Sequence, residues 1–172
     1  PEEKIFSNTE KWKNEVGHGW SLHEKHIFES VKTITGLSID RNIDVYILPA
    51  ELKEAQYLNE HEVEWGYPEQ YPNSISIGLS HEFLHCATDG FYQNLSDEEK
   101  WVFHAIIYLS IDEELRCILQ EGGKYFDLPT IHEYHPQLIE HAKKILPDWK
   151  TRMAKSQKED IVTFFLSNQL GR

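Results

Sequence analysis

The segment His81-Glu82-Phe83-Leu84-His85 constrains this chain more than any other. Histidines four residues apart lie one turn apart on a single face of an α-helix, so both imidazoles can reach one point if the segment is helical. Phe83 and Leu84 between them are apolar, as expected where the other side of such a helix packs in a core. The pattern predicts a helix over at least Ser80 to Ala87, closing near Asp89-Gly90.

These residue types suit one kind of chemistry. Neutral imidazole nitrogen binds zinc at about 2.0–2.1 Å, and a catalytic zinc keeps one position for water. Glu82 follows the first histidine and is placed to take a proton from that water as the ion lowers its pKa. His81 and His85 are therefore the expected Zn²⁺ ligands and Glu82 the expected general base. A third ligand has to come from elsewhere. The metzincin extension requires Gly at position 88 and His at 91, whereas this chain has Thr88 and Phe91, which excludes that subclass. The other common solution is a carboxylate from a downstream helix, with Glu113, Glu114 and Glu121 as candidates.

The chain has 172 residues, which fits one domain spanning 1–172. Its 40% hydrophobic and 12% aromatic content supplies a core and argues against disorder. A formal net charge of −12 repels phosphate backbones and anionic lipid, so nucleic acid and membrane are poor partners; a basic peptide or a cation fits better. Cys86 and Cys117 are too few for a disulfide framework and form no C-x-x-C pair. They read as buried thiols in a reducing compartment, with a single bridge still open. No apolar run is long enough to span a membrane and no signal-peptide pattern is present. The expected location is cytoplasmic, although a start at Pro1 leaves a removed leader or upstream domain open.

Residues 7–35 carry Trp12, Val16, Trp20, Ile27, Val31 and Ile34 at helical spacings, with Gly17 and Gly19 expected to split them into two helices. Asn42 to Pro49 reads as a strand. Trp65 to Asn73 is rich in turn residues and reads as a loop. Ser74 to Leu79 fits either a short edge strand or the first turn of the following helix. Ser96-Asp97-Glu98-Glu99 is a capping box opening an apolar helix through Trp101, Ala105, Ile106 and Leu109. Ser110-Ile111-Asp112-Glu113 repeats the pattern, giving two helices or one continuous helix, with Gly122-Gly123 as a stop or kink. Gln137 to Ile145 and Ser156 to Leu166 read as further helices separated by Pro147. The expected class is α+β, mostly helical with a small sheet.

Leu119-Gln120-Glu121-Gly122-Gly123-Lys124-Tyr125-Phe126 resembles the glutamate segment of gluzincins. Together with His81-Glu82-x-x-His85 and the strand Val45 to Pro49, the chain resembles the zincin superfamily. More narrowly, it looks like small predicted zinc-dependent proteases grouped under a domain-of-unknown-function label. The likeness covers roughly residues 43–126. It implies a zincin-like fold with an H-E-x-x-H active-site helix and metallopeptidase activity on a peptide or protein. It also implies zinc held by His81, His85 and Glu121, with Glu82 as base. The paired glycines depart from the family pattern, and a helix ending there makes Glu114 or Glu113 the ligand instead.

Peptide hydrolysis also needs a donor for the oxyanion. Tyr125, His132, Tyr134, His135 and His141 are available, with His135 and Tyr125 singled out. His18, His23 and His26 have no accompanying carboxylate pattern and read as surface or packing residues. Asp89, four residues beyond His85, is either a carboxylate orienting a ligand imidazole or a turn former before Gly90. Cys86 points about 100° away from His85 around the helix and reads as packing. Two other function classes stand beside a hydrolase: a binding or regulatory module with a structural or lost metal, and a helical interaction domain in which the motif is accidental.

Overall fold

The computed structural model describes residues 2–48, 55–66, 75–107, 115, 136–155 and 159–169. In chain order the elements are α1 (Glu2–Thr35), β1 (Asp44–Leu48), β2 (Ala55–Asn59), β3 (Glu62–Gly66), α2 (Ile75–Tyr92), α3 (Asp97–Ile107), α4 (Pro136–Ala154) and α5 (Ile161–Gln169). The described residues are mostly helical with one three-stranded sheet, which places the chain in the α+β class.

The first segment is one helix of 34 residues, not two. Two interior glycines cost about 1 kcal/mol each against alanine. Against this, Val16, Ile27 and Val31 are buried, each worth about 1.5–3 kcal/mol. Trp20 also meets Phe83 of α2 edge-on at 4.9 Å and Phe28 at 5.6 Å. Burial outweighs the glycine penalty, and the helix runs through. It stops at Gly36, whose φ of +73° is a left-handed C′ conformation. The Gly36 amide donates to Lys32 O at 2.9 Å. A Cβ at Gly36 would lie 2.9 Å from the Asp160 backbone.

In the sheet the order is β1-β3-β2. β1 pairs parallel with β3, Val45 opposite Val63 and Ile47 opposite Trp65. β2 pairs antiparallel with β3, with an irregularity between Tyr57 and Asn59. Val63 and Trp65 are fully buried and anchor the sheet to the helices. Trp65 and Gly66 thus end a strand rather than begin a loop; residues 67–74 lie outside the described residues. The β2–β3 hairpin is not among the elements expected from sequence.

α2 extends further than the motif alone suggests, from Ile75 to Tyr92. Residues 75–79 are its first turns, which settles the strand-or-helix ambiguity there. Gly90 does not close it, because a single helical glycine is too small a penalty to stop a helix packed on α1, β2 and β3. The capping box at the start of α3 forms as expected: the Ser96 amide donates to Glu99 Oε2 at 2.9 Å and the Glu99 amide to Ser96 Oγ at 3.4 Å. Val102, Phe103, Ala105, Ile106 and Ile107 of α3 are buried, and α3 packs on α4. α4 continues through Pro147 instead of ending at Ile145. A helical proline costs about 3 kcal/mol, but Ile145 and Trp149 on either side of it are buried and hold the helix together. α5 starts at Ile161, later than Ser156, because Asp160 is its N-cap: Oδ1 accepts from the Thr163 amide at 2.8 Å. Among the described residues, no helix is long and apolar enough to cross a membrane.

Candidate metal centre

α2 is buried on nearly every side. Leu79 and Phe83 face α1 and border a cavity of about 620 Å³ that also touches Trp20, Val45 and Ile47. His81 and His85 lie two residues on from these, about 200° around the helix, so the histidines occupy the opposite face from that cavity. His81 is fully buried and His85 is 4% exposed. Both rings turn toward α3, where His104 meets them.

The three imidazoles converge. His81 Nε2 lies 2.9 Å from His104 Nε2 and 3.2 Å from His85 Nε2. One nitrogen from each ring falls within 4.8 Å of the others, a cluster that can hold a metal ion. Ligand nitrogens about 2.0–2.1 Å from a tetrahedral ion sit about 3.3 Å apart, so two of the contacts are already near that spacing. Burial, followed by the neighbouring histidines, holds His85 well below the usual imidazole range, and the same causes, with His81 as the neighbour, hold His104 there. Both are therefore neutral at physiological pH, the form that binds metal. His85 Nδ1 is buried and has no hydrogen-bond partner among the described residues.

Glu82, next to His81 in the chain, is 6% exposed. Its Oε2 accepts the Tyr57 amide of β2 at 2.8 Å. The Tyr57 hydroxyl bonds Asp89, and Gln93 Nε2 donates to that hydroxyl at 3.0 Å. Tyr57 thus braces α2 at two carboxylates seven residues apart, with its ring centroid 5.8 Å from that of His85. Asp89 is accordingly neither a turn former nor a direct partner of the His85 ring. It holds Tyr57, and Tyr57 packs on the histidine.

Of the residues expected at the site, the structure brings the His81 and His85 rings together, while the Glu82 carboxylate is held by the Tyr57 amide. Glu113, Glu114 and Glu121 lie outside the described residues, as do Tyr125, His132, Tyr134, His135 and Cys117. His141 lies on α4. His18 and His26 are exposed and His23 is half-buried, as read, and none belongs to a metal-holding group among the described residues. Cys86 is a fully buried free thiol, pushed up to about 12, chiefly by burial, so it packs and does not coordinate. His104 is the member that sequence reasoning missed. Its signal was present: a single histidine inside the apolar run Trp101-Val102-Phe103-His104-Ala105-Ile106-Ile107. No protein-family model, no curated protein and no solved structure matches this chain.

Proposed function

We propose that the chain is a metal-dependent hydrolase, zincin-like in its active-site helix, and that it acts on peptide bonds. The observation that carries this reading is the convergence of the buried His81 and His85 rings, their Nε2 atoms 3.2 Å apart, on the helix whose Glu82 is 6% exposed and accepts a backbone amide. A bound divalent cation, Zn²⁺ by ligand type, supplies Lewis acidity that polarises a carbonyl and makes water a stronger nucleophile. Glu82 takes the proton from that water and returns it to the leaving amine, the two halves of general acid–base catalysis. The amide of Tyr57 holds the carboxylate in place so that no reorientation precedes the transfer.

A peptide substrate is favoured by the strand beside the base. β2 is one of the two outer strands of the described sheet and meets Glu82 at Tyr57. An extended chain lying along such an edge would run past the metal site, the usual logic of strand addition. The acidic overall charge favours basic peptides. The resemblance to gluzincins points the same way and supplies Glu121 as a candidate further ligand.

The test is Glu82→Gln. Metal content should be unchanged while turnover of a peptide library falls by about 10²–10⁴-fold, the usual worth of a positioned acid or base. Wild-type turnover in that variant would remove Glu82 from the mechanism. The near-complete burial of His81 and His85 favours one alternative, a closed structural site in a binding module. In that case the wild-type chain holds its ion but cleaves no peptide.

A further inference from the structure

Resting on the reading of this site as a metal centre, we infer that His104 of α3 is the third metal ligand, so that the ion is held by three neutral imidazoles. His104 lies outside the H-E-x-x-H motif, yet its Nε2 is nearer to His81 Nε2, at 2.9 Å, than His85 Nε2 is, at 3.2 Å. The three ring centroids form a nearly equilateral triangle of 4.7, 5.0 and 5.1 Å, and the rings cross at 51°, 60° and 77°. Steeply crossed rings with nitrogens together at the centre are converging on a point, not stacking on one another.

The position of His104 is built in. Trp101, three residues earlier on α3, lies flat against its ring, 5.9 Å between centroids and 5° between planes. The capping box fixes the start of the same helix one turn before Trp101. Phe103 and Ala105 on either side of His104 are fully buried, so the helix cannot rotate the ring away without exposing them.

Protons alone serve this cluster poorly. A neutral imidazole nitrogen offers one N–H or one lone pair, and His81 Nε2 faces two other nitrogens at once. Any single proton arrangement at His81 Nε2 satisfies one of these two contacts at the expense of the other. A cation accepts all three lone pairs together. Three neutral nitrogen donors also set the class of ion: Zn²⁺, Co²⁺, Ni²⁺ or Cu²⁺ rather than Mg²⁺ or Ca²⁺, which require oxygen. They leave the full double charge on the ion, where a glutamate ligand would cancel one unit.

The experiment titrates the metal-stripped full chain with Zn²⁺, Co²⁺ and Mg²⁺, as wild type, His104→Ala and Glu121→Gln. One Zn²⁺ or Co²⁺ per chain and no Mg²⁺ is expected. His104→Ala should weaken Zn²⁺ binding more than about 100-fold, because losing even an outer partner of a ligand costs about 10–100-fold. Loss in both variants supports His104 and adds Glu121 as a fourth ligand. Unchanged affinity in His104→Ala, with loss in Glu121→Gln, overturns the inference while leaving the hydrolase proposal intact. Turnover that survives Glu82→Gln does the reverse. Should His104→Ala fail to fold, ¹⁵N-labelled histidine in the wild-type chain decides: three rings shifting on Zn²⁺ addition support the assignment, and two overturn it.

Discussion

Tyr57 shows how one side chain can set a site it does not belong to. Its amide orients Glu82, its hydroxyl is held by Asp89, and its ring packs toward His85. The histidines beside it carry a pH consequence in the metal-free protein. His85 is held well below 6.5 by burial and then by His81 and His104, and His104 by burial and then by His81. Above 6.5 they are neutral in both the folded and the unfolded chain, and they contribute no pH dependence. As pH falls below 6.5 the unfolded chain takes up protons first, so folding stability drops until the buried rings themselves protonate. Urea midpoints of metal-free protein should therefore fall between pH 7 and pH 5, and excess Zn²⁺ should shift the loss to lower pH. Midpoints flat across that range would mean the rings are not buried as neutral groups.

At the scale of the element, the two kinds of glycine in α1 and its C-terminus separate cleanly. Gly36 combines a left-handed φ with a Cβ position 2.9 Å from backbone, so Gly36→Ala should cost about 1–3 kcal/mol, lowering Tm by about 2–4 °C per kcal/mol. A Cβ at Gly17 meets nothing within 4 Å, and Gly17→Ala should stabilise by about 1 kcal/mol. Thermal unfolding of the two variants checks both signs. The same contrast explains what the sequence reveals. Ser96-to-Glu99 and His81-to-His85 are legible because their partners are three or four residues away. The reach of α1 past Gly17, and of α4 past Pro147, is not, since tertiary burial of Val16, Ile27, Ile145 and Trp149 decides it. The β3 strand of the hairpin does leave a local signal, since Glu62 and Glu64 alternate with the buried Val63 and Trp65, the period of two of a half-buried strand, but that run is short and is not among the strands expected from sequence. His104 joins the site only because α3 folds back across α2, a long-range packing event with no local spacing to announce it.

At the scale of the whole molecule, the architecture converges on one small volume. The sheet presents Tyr57 to Glu82 and His85, α2 carries Glu82 and the histidine pair, and α3 brings His104 to that pair. Removing the ion should therefore loosen the contacts among three elements at once rather than at a local site. The most direct measurement is the metal content of the purified full chain, followed by thermal unfolding with and without a chelator. One equivalent of zinc or a related transition ion is expected, with a lower Tm after chelation that is restored by adding Zn²⁺. A folded chain that carries no transition metal, binds none when offered it and melts identically with and without chelator would contradict the account.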